Sequence, residues 1–389
     1  MTLRLSTQEY RAVYSLAFIY ACRMLGLFMI LPVFSLYTHT LAGATPWLMG
    51  VTMGIYGLTQ AGLQIPLGIL SDRIGRKPVI AGGLLLFATG SVIAAYSDSV
   101  YGIMIGRAIQ GAGAVSSATM ALIADVTRPE HRTKAMALIG MIIGISFAVA
   151  LILGPVIHQW GGIYGIFMTS AALCILAIFF LLWGVPNVTT AHPSDLNQLP
   201  NIWNNSTLWI LGIGVFIQHA VFTGTFLVMP ILLSQAGLLA SDQWKFYLPI
   251  VVVAFLACLP LIIVAEAKRK IHLVTYLCII GLTISEALYV LFHAHLWLIA
   301  SALVMFFTAF TTLEAIMPSL TSKLAPSHAK GAAMGMYSTA QFTGIFVGGM
   351  LAGFVYQHSN ILTTLMIQVL FLLIWATISR HFSLIAKGG

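Results

Sequence analysis

Apolar residues along the 389-residue chain gather into long runs, and polar positions into short breaks between them. The runs fall at 13–37, 47–70, 78–97, 99–124, 135–158, 163–185, 208–233, 245–265, 272–292, 296–320, 331–357 and 361–380. A helix needs about 20 apolar residues to cross a bilayer, so each run predicts one transmembrane helix. Twelve spans make an all-α membrane protein with both termini on one side. Pro32, Pro66, Pro155 and Pro318 lie inside runs, where neighbouring helices can re-satisfy the backbone that proline frees. The longest polar break, "PNVTTAHPSDLNQLPNIWNNST" at 186–207, carries no Lys or Arg and reads as a linker between six-helix halves at 1–185 and 208–389. An internal echo supports two pseudo-symmetric halves. "TRPEHRTKAMALIGM" after the fourth span and "LAPSHAKGAAMGMYS" after the tenth hold Pro129 and Pro326, and His131 and His328, at the same offset. Repeated halves with a site between them near the midplane are a recurring plan of secondary transporters.

Composition agrees with a membrane and excludes a soluble core. Hydrophobic residues are 59% of the chain and charged ones 7%, with mean hydropathy +0.97; ordinary globular domains have about 45–50% and about 25%. The formal net charge of +8 would suit nucleic acid in a soluble protein, but its placement says otherwise. Fifteen of the 18 Lys and Arg lie in connections on the side of the termini, among them Arg73, Arg76, Lys77, Arg128, Arg132, Lys134, Lys268, Arg269 and Lys270. Lys245 lies opposite, and Arg23 and Arg107 lie within spans. The positive-inside bias then puts both termini in the cytoplasm and removes the case for nucleic acid. Cys22, Cys174, Cys258 and Cys278 stand alone within runs, so neither a disulfide nor a metal site is expected. The N-terminus, "MTLRLSTQEYRAVYSLAF", lacks a small-residue cleavage site, so the first span is expected to stay in the mature protein.

One break is unusually charged. "GILSDRIGRKP" at 68–78 crowds Asp72, Arg73, Arg76 and Lys77 together. Gly68 permits close helix packing, Gly75 a tight turn, and Asp72 can meet a helix start. Arg76 offers a planar fork to a carboxylate, and the nearest candidate on another helix at that side is Asp125. Later in the chain, Gly331 and Gly335, Gly344 and Gly348, and Gly349 and Gly353 form small-xxx-small pairs in the eleventh span, spacing that allows close helix contact.

These stretches resemble the major facilitator superfamily, in particular its twelve-helix drug:proton antiporter branch. "GILSDRIGRK" matches the superfamily signature G-x-L-x-D-R-x-G-R-K at every specified position, and "RAIQGAGA" at 107–114 resembles its fourth-helix motif. The fifth-helix antiporter motif is partly present: Gly154 and Pro155 stand, but His158 and Gln159 occupy places where glycines are usual. The wording of the first half is especially similar to the bacterial YajR-type transporters, whose appended cytosolic domain this chain would lack. The resemblance implies a bacterial inner-membrane protein, acting as a monomer without a cofactor, and a conformational latch of Gly68, Asp72, Arg73, Gly75, Arg76 and Asp125. In the family the corresponding Asp contacts the eleventh helix and the Arg pairs with the fourth-helix acid in the outward-facing state.

Ionisable residues inside spans are expensive to insert and point to function. Arg23 lies near mid-membrane in the first span and Arg107 about two turns into the fourth. Glu286, Glu314 and His219 lie in the ninth, tenth and seventh. By resemblance Arg107 belongs to a proton relay with an acid in the core, yet the first span has no Asp or Glu. Glu286, Glu314 or His219 is then expected to carry the proton from the second half, with Glu314 placed ahead because the tenth helix lines the cavity in this fold. Arg23 and Arg107 suit either a substrate carboxylate or backbone carbonyls. Phe28, Gln60, Gln218, Phe222, Phe310 and Gln341 are the expected cavity liners. The chain lacks HExxH, GxSxG and a clustered Asp pair, so it is not read as an enzyme. The function expected is proton-coupled efflux of small amphipathic organic compounds by alternating access; the alternative is an anionic metabolite or chelator, such as a siderophore, held by the arginines.

Overall fold

The computed structural model describes residues 7–37, 41–113, 115–186, 205–325 and 330–385. Arg4, Lys387, the echo at Pro326 and His328, and most of the 186–207 linker lie outside them. Helices follow the apolar runs: α1 Thr7–Phe28, α2 Leu31–Tyr37, α3 Pro46–Ile74, α4 Arg76–Ala95, α5 Val100–Ala112, α6 Ser116–Val126 and α7 Pro129–Gly184, then α8 Ser206–Gln235, α9 Gln243–Ala267, α10 Ile271–Leu291, α11 Leu296–Leu324, α12 Lys330–His358 and α13 Ile361–Ile385. Among the described residues the only β pairing is a bridge between Ala42 and Ser99.

Local chemistry sets the helix ends. Thr45 accepts from Leu48 N (3.2 Å) ahead of Pro46 at the first position of α3, Ser99 caps α5 through Gly102 N (3.2 Å), and Asn205 caps α8 through Leu208 N (3.3 Å). Two expected single spans are each broken in the middle. The first divides into α1 and α2 at Met29–Ile30, and the fourth into α5 and α6 around 113–115. At the first break Gly154 lies so close to the Met29 carbonyl that no side chain fits, which gives this glycine of the partly preserved fifth-helix motif a packing role. In contrast, α7 runs for 56 residues, far beyond one crossing, but Gly162 breaks it with φ 59 and ψ −157. Gly165 packs back against Ile157. The sequence expectation of a break between 158 and 163 therefore falls on this residue.

Ten segments of the described residues are long and apolar enough to cross a membrane. One of them, Leu138–Gly184, contains the Gly162 break, and α3 is long enough at 29 residues but more polar. Together they account for the twelve expected crossings.

The helices are packed differently at the two ends of the bundle, named here by the charge they carry. The basic end holds Arg73, Arg76, Lys77, Arg128, Lys268 and Lys323. The far end holds the starts of α3 and α5, the Gly162 break and the end of α12. At the far end α3 and α12 meet backbone to backbone: Gly50, Gly54 and Gly57 face Gly349, Phe346 and Phe342, with no room for a side chain. Trp47 N donates to Gln357 Oε1 (3.1 Å), and Gln159 Nε2 donates to Ser241 O (2.8 Å), so side chains also join the first six spans to the last six there. The same α12 stripe continues to Gly335 and Gly331, where no described residue lies within 4 Å of an added side chain. The α3 stripe continues to Gly68, whose neighbour is Ser117 on α6. The two helices thus touch at the far end and diverge toward the basic end.

Candidate functional site

The charged connection is organised around Arg76. Gly75, at φ 97, ends α3 and starts α4, a backbone state that favours glycine. This turn directs Arg76 back onto the last turn of α3. Its guanidinium pairs with Asp72, donates from Nη1 to Ser71 Oγ (2.7 Å) and from Nε to Asp125 Oδ2 at the end of α6 (3.2 Å). Ser71 Oγ donates in turn to the Gly68 carbonyl (2.6 Å), while Arg73 is exposed. Lys77, expected only to mark topology, also donates to the Val185 carbonyl (2.8 Å) and ties α4 to the end of α7. A second carboxylate–guanidinium pair escaped the sequence reading. The first helix begins at Thr7, ahead of the apolar run, and so includes Glu9. Arg128 grips Glu9 through Nε to Oε1 and Nη2 to Oε2, both 3.0 Å. Only the fold brings two residues so far apart in the chain together.

Arg23 and Arg107 lie deep inside the first six spans, 2% and 3% exposed, and both touch Tyr56. Arg23 donates to Ser116 Oγ (2.6 Å), Tyr56 Oη (2.7 Å) and Gln60 Oε1 (2.6 Å). Arg107 donates to Gln110 Oε1 (3.1 Å) and the Met53 carbonyl (3.4 Å), with its guanidinium carbon 5.1 Å from the Tyr56 ring centre. Gln110 Nε2 is fixed by Ser91 Oγ (2.7 Å). Among the described residues neither arginine has an ion pair with an acid; neutral oxygens and a ring face take that place. Gln60, expected on the cavity, is instead fully buried between Arg23 and Ser116, because the rotation of α3 turns it inward.

The acid of the last six spans has a different setting. Glu314, on α11, has a 27% exposed side chain and meets His219 of α8, with Oε1 3.2 Å from Nε2. Gln218 Nε2 donates to the same oxygen (2.9 Å). His219 Nδ1 lies 3.0 Å from the Val215 carbonyl, a pure acceptor, so Nδ1 carries hydrogen. Nε2 and Glu314 can then share one proton, either as an acid donating to imidazole or as an imidazolium donating to a carboxylate. The Gln341 side-chain nitrogen lies 2.8 Å from the same His219 Nε2. Two of the expected liners complete the wall: Phe310 is 5.7 Å from the His219 ring and stacks on Phe222 at 4.5 Å. The structure therefore gathers Gln218, His219, Phe222, Phe310, Glu314 and Gln341 at one place.

Glu286 is elsewhere, fully buried on α10. Thr225 Oγ1 lies 2.6 Å from its Oε1, and the Gln368 amide, oriented to satisfy both neighbours, donates to Oε2 at 3.0 Å. These contacts tie α8, α10 and α13 together away from the partly exposed Glu314.

Comparison with known proteins gives one family. Residues 16–349 match the model described as Major Facilitator Superfamily. The inner membrane transport protein YajR of Escherichia coli K12 is 43% identical over 357 residues, 90% of this chain and 79% of the relative. The multidrug resistance protein MdtH of Aeromonas salmonicida is 26% identical over 349 residues, 87% of this chain and 85% of the relative. Among solved structures, a bacterial homolog of the human lysosomal transporter Spinster aligns with TM-score 0.78 at 15% identity, covering 95% of this chain and 96% of the other.

Proposed function

The chain belongs to the Major Facilitator Superfamily and is a membrane transporter, not an enzyme; from that premise we propose that it exports small amphipathic organic compounds in exchange for protons. The observation that carries this reading is the partly exposed Glu314 against His219, a carboxyl and an imidazole close enough to share a proton at the edge of an aromatic wall. Similarity to an inner-membrane transporter and to a multidrug resistance protein supports the setting and the substrate class. In this reading the basic end faces the cytoplasm, both termini lie there, and the protein works as a monomer. The halves 1–185 and 208–389 rock about the central site, and the divergence of α3 and α12 makes the present state inward-facing. The pairs of Arg76 with Asp72 and Asp125 are already formed in the present state, so what closing of the basic end adds in this reading is the contact of their loop, shaped by Gly68, Arg73 and Gly75, with α12. Purified protein in liposomes with an imposed pH gradient tests the proposal, using ethidium as the amphipathic probe. Saturable accumulation driven by the gradient supports it, and accumulation indifferent to the gradient contradicts it.

The anionic-substrate alternative has one observation in its favour. Arg23 Nε is buried without a hydrogen-bond partner among the described residues, a donor left over beside the three neutral acceptors that the guanidinium meets. Uptake or export of a carboxylate-bearing siderophore that is lost in Arg23→Gln, with the fold intact, would favour this reading over the first.

A further inference from the structure

Directly beyond Glu314 and His219, toward the far end, the space between the two sets of spans is filled by phenylalanines. Phe147 of α7 stands at the centre. Its ring centre is 5.2 Å from Phe28, 5.4 Å from Phe222, 5.7 Å from Phe226 and 5.7 Å from Phe307. Phe28 and Phe147 come from α1 and α7, the other three from α8 and α11, so one ring from the first six spans is wedged into a nest on the last six. Phe147 is 8% exposed, and Phe222, Phe226 and Phe307 are 5% or less. The cluster runs without a gap into the acid site: Phe147 meets Phe222, Phe222 stacks on Phe310, and Phe310 meets His219. Along α11, Phe307 lies two turns, about 10 Å, farther from the basic end than Glu314.

We propose that Phe147 is the keystone of an aromatic plug that bars water and protons between the far side and Glu314. An apolar constriction holds back water because a chain of molecules there finds no hydrogen-bond partners, and protons move only where such a chain exists. A plug made of rings from both sets of spans also has a way to open. When α7 moves against α8 and α11, Phe147 leaves its nest and the path to Glu314 from the far side is hydrated. The plug thereby allows the proton pair to be reached from one side at a time. This inference rests on the reading of Glu314 and His219 as the proton site, and the experiment separates the two.

Proteoliposomes carrying a pH-sensitive dye inside report proton entry under an imposed gradient without any organic substrate. Wild-type protein and Phe147→Leu are expected to be tight. Phe147→Ala is expected to leak about tenfold faster, equivalent to ~1.4 kcal/mol off the barrier. Phe222→Ala, which removes a neighbouring ring, is the second variant and decides the matter if Phe147→Ala does not fold. If the folded alanine variants are as tight as the wild type, the plug is overturned. A leak that vanishes in Phe147→Ala/Glu314→Gln supports both the plug and Glu314 as the relay. A leak unchanged in that double variant supports the plug as the water barrier and counts against the proton reading of Glu314.

Discussion

Arg23 and Arg107 in the first six spans and Glu314 in the last six are set in opposite ways, while Glu286, fully buried against Thr225 and Gln368, is held as the arginines are. Arg23 and Arg107 are sealed within the first six spans and quenched by hydroxyl, amide, carbonyl and ring-face partners around Tyr56. Glu314, in the last six, is left partly exposed and shares its oxygen with His219 and Gln218. A charge wrapped in neutral dipoles from several helices ties those helices together. A carboxyl beside an imidazole, part of its side chain open to solvent, is a group that can exchange a proton with its surroundings. On this comparison we propose a structural role for the arginines and the coupling role for Glu314.

Four substitutions bear on that assignment, in falling order of expected effect. Glu314→Gln keeps the hydrogen bond to Gln218 and removes the titrating group; gradient-driven transport is expected to fall about 100-fold, the scale of losing a required proton carrier. His219→Gln should cost about tenfold in the same flux measurement, because Glu314 keeps its proton but loses the partner that shares it. Arg107→Gln should act on stability, costing about 1–3 kcal/mol because it leaves Gln110 and the Met53 carbonyl short of a donor in the interior. Thermal unfolding in detergent measures it; unaltered stability with abolished coupling would break the comparison. Lys323→Ala, which removes the exposed 2.5 Å pair with Glu266, should change stability by less than about 1 kcal/mol in the same assay.

Much of the fold was legible because a bilayer imposes a length and a composition on every crossing, and the breaks carry nearly all the charge. The interruption at Met29–Ile30 was not, since it lies in an apolar run and depends on a contact, Gly154 against the Met29 carbonyl; the one between α5 and α6 has a local sign in Gly111 and Gly113 of the fourth-helix motif, which the apolar pattern places within a single span. Within the site, Glu314 and His219 stood out as ionisable groups among apolar neighbours. Gln60 was misplaced because an apolar helix with few polar positions gives little sign of which face turns inward. The Glu9–Arg128 pair needed the fold to bring its members together. Phe147 was passed over as one of 22 phenylalanines, and only its position between the two sets of spans distinguishes it. The latch loop was the most readable element, because its turn needs a glycine at Gly75 and its charges have few neighbours with which to pair.

The central claim is that Glu314 couples transport to protons without being needed to bind the substrate. Ethidium counterflow at equal pH, measured beside gradient-driven accumulation in the same Glu314→Gln proteoliposomes, tests it most directly. The account predicts that counterflow persists while gradient-driven accumulation disappears; accumulation that still follows the pH gradient in this variant would contradict it.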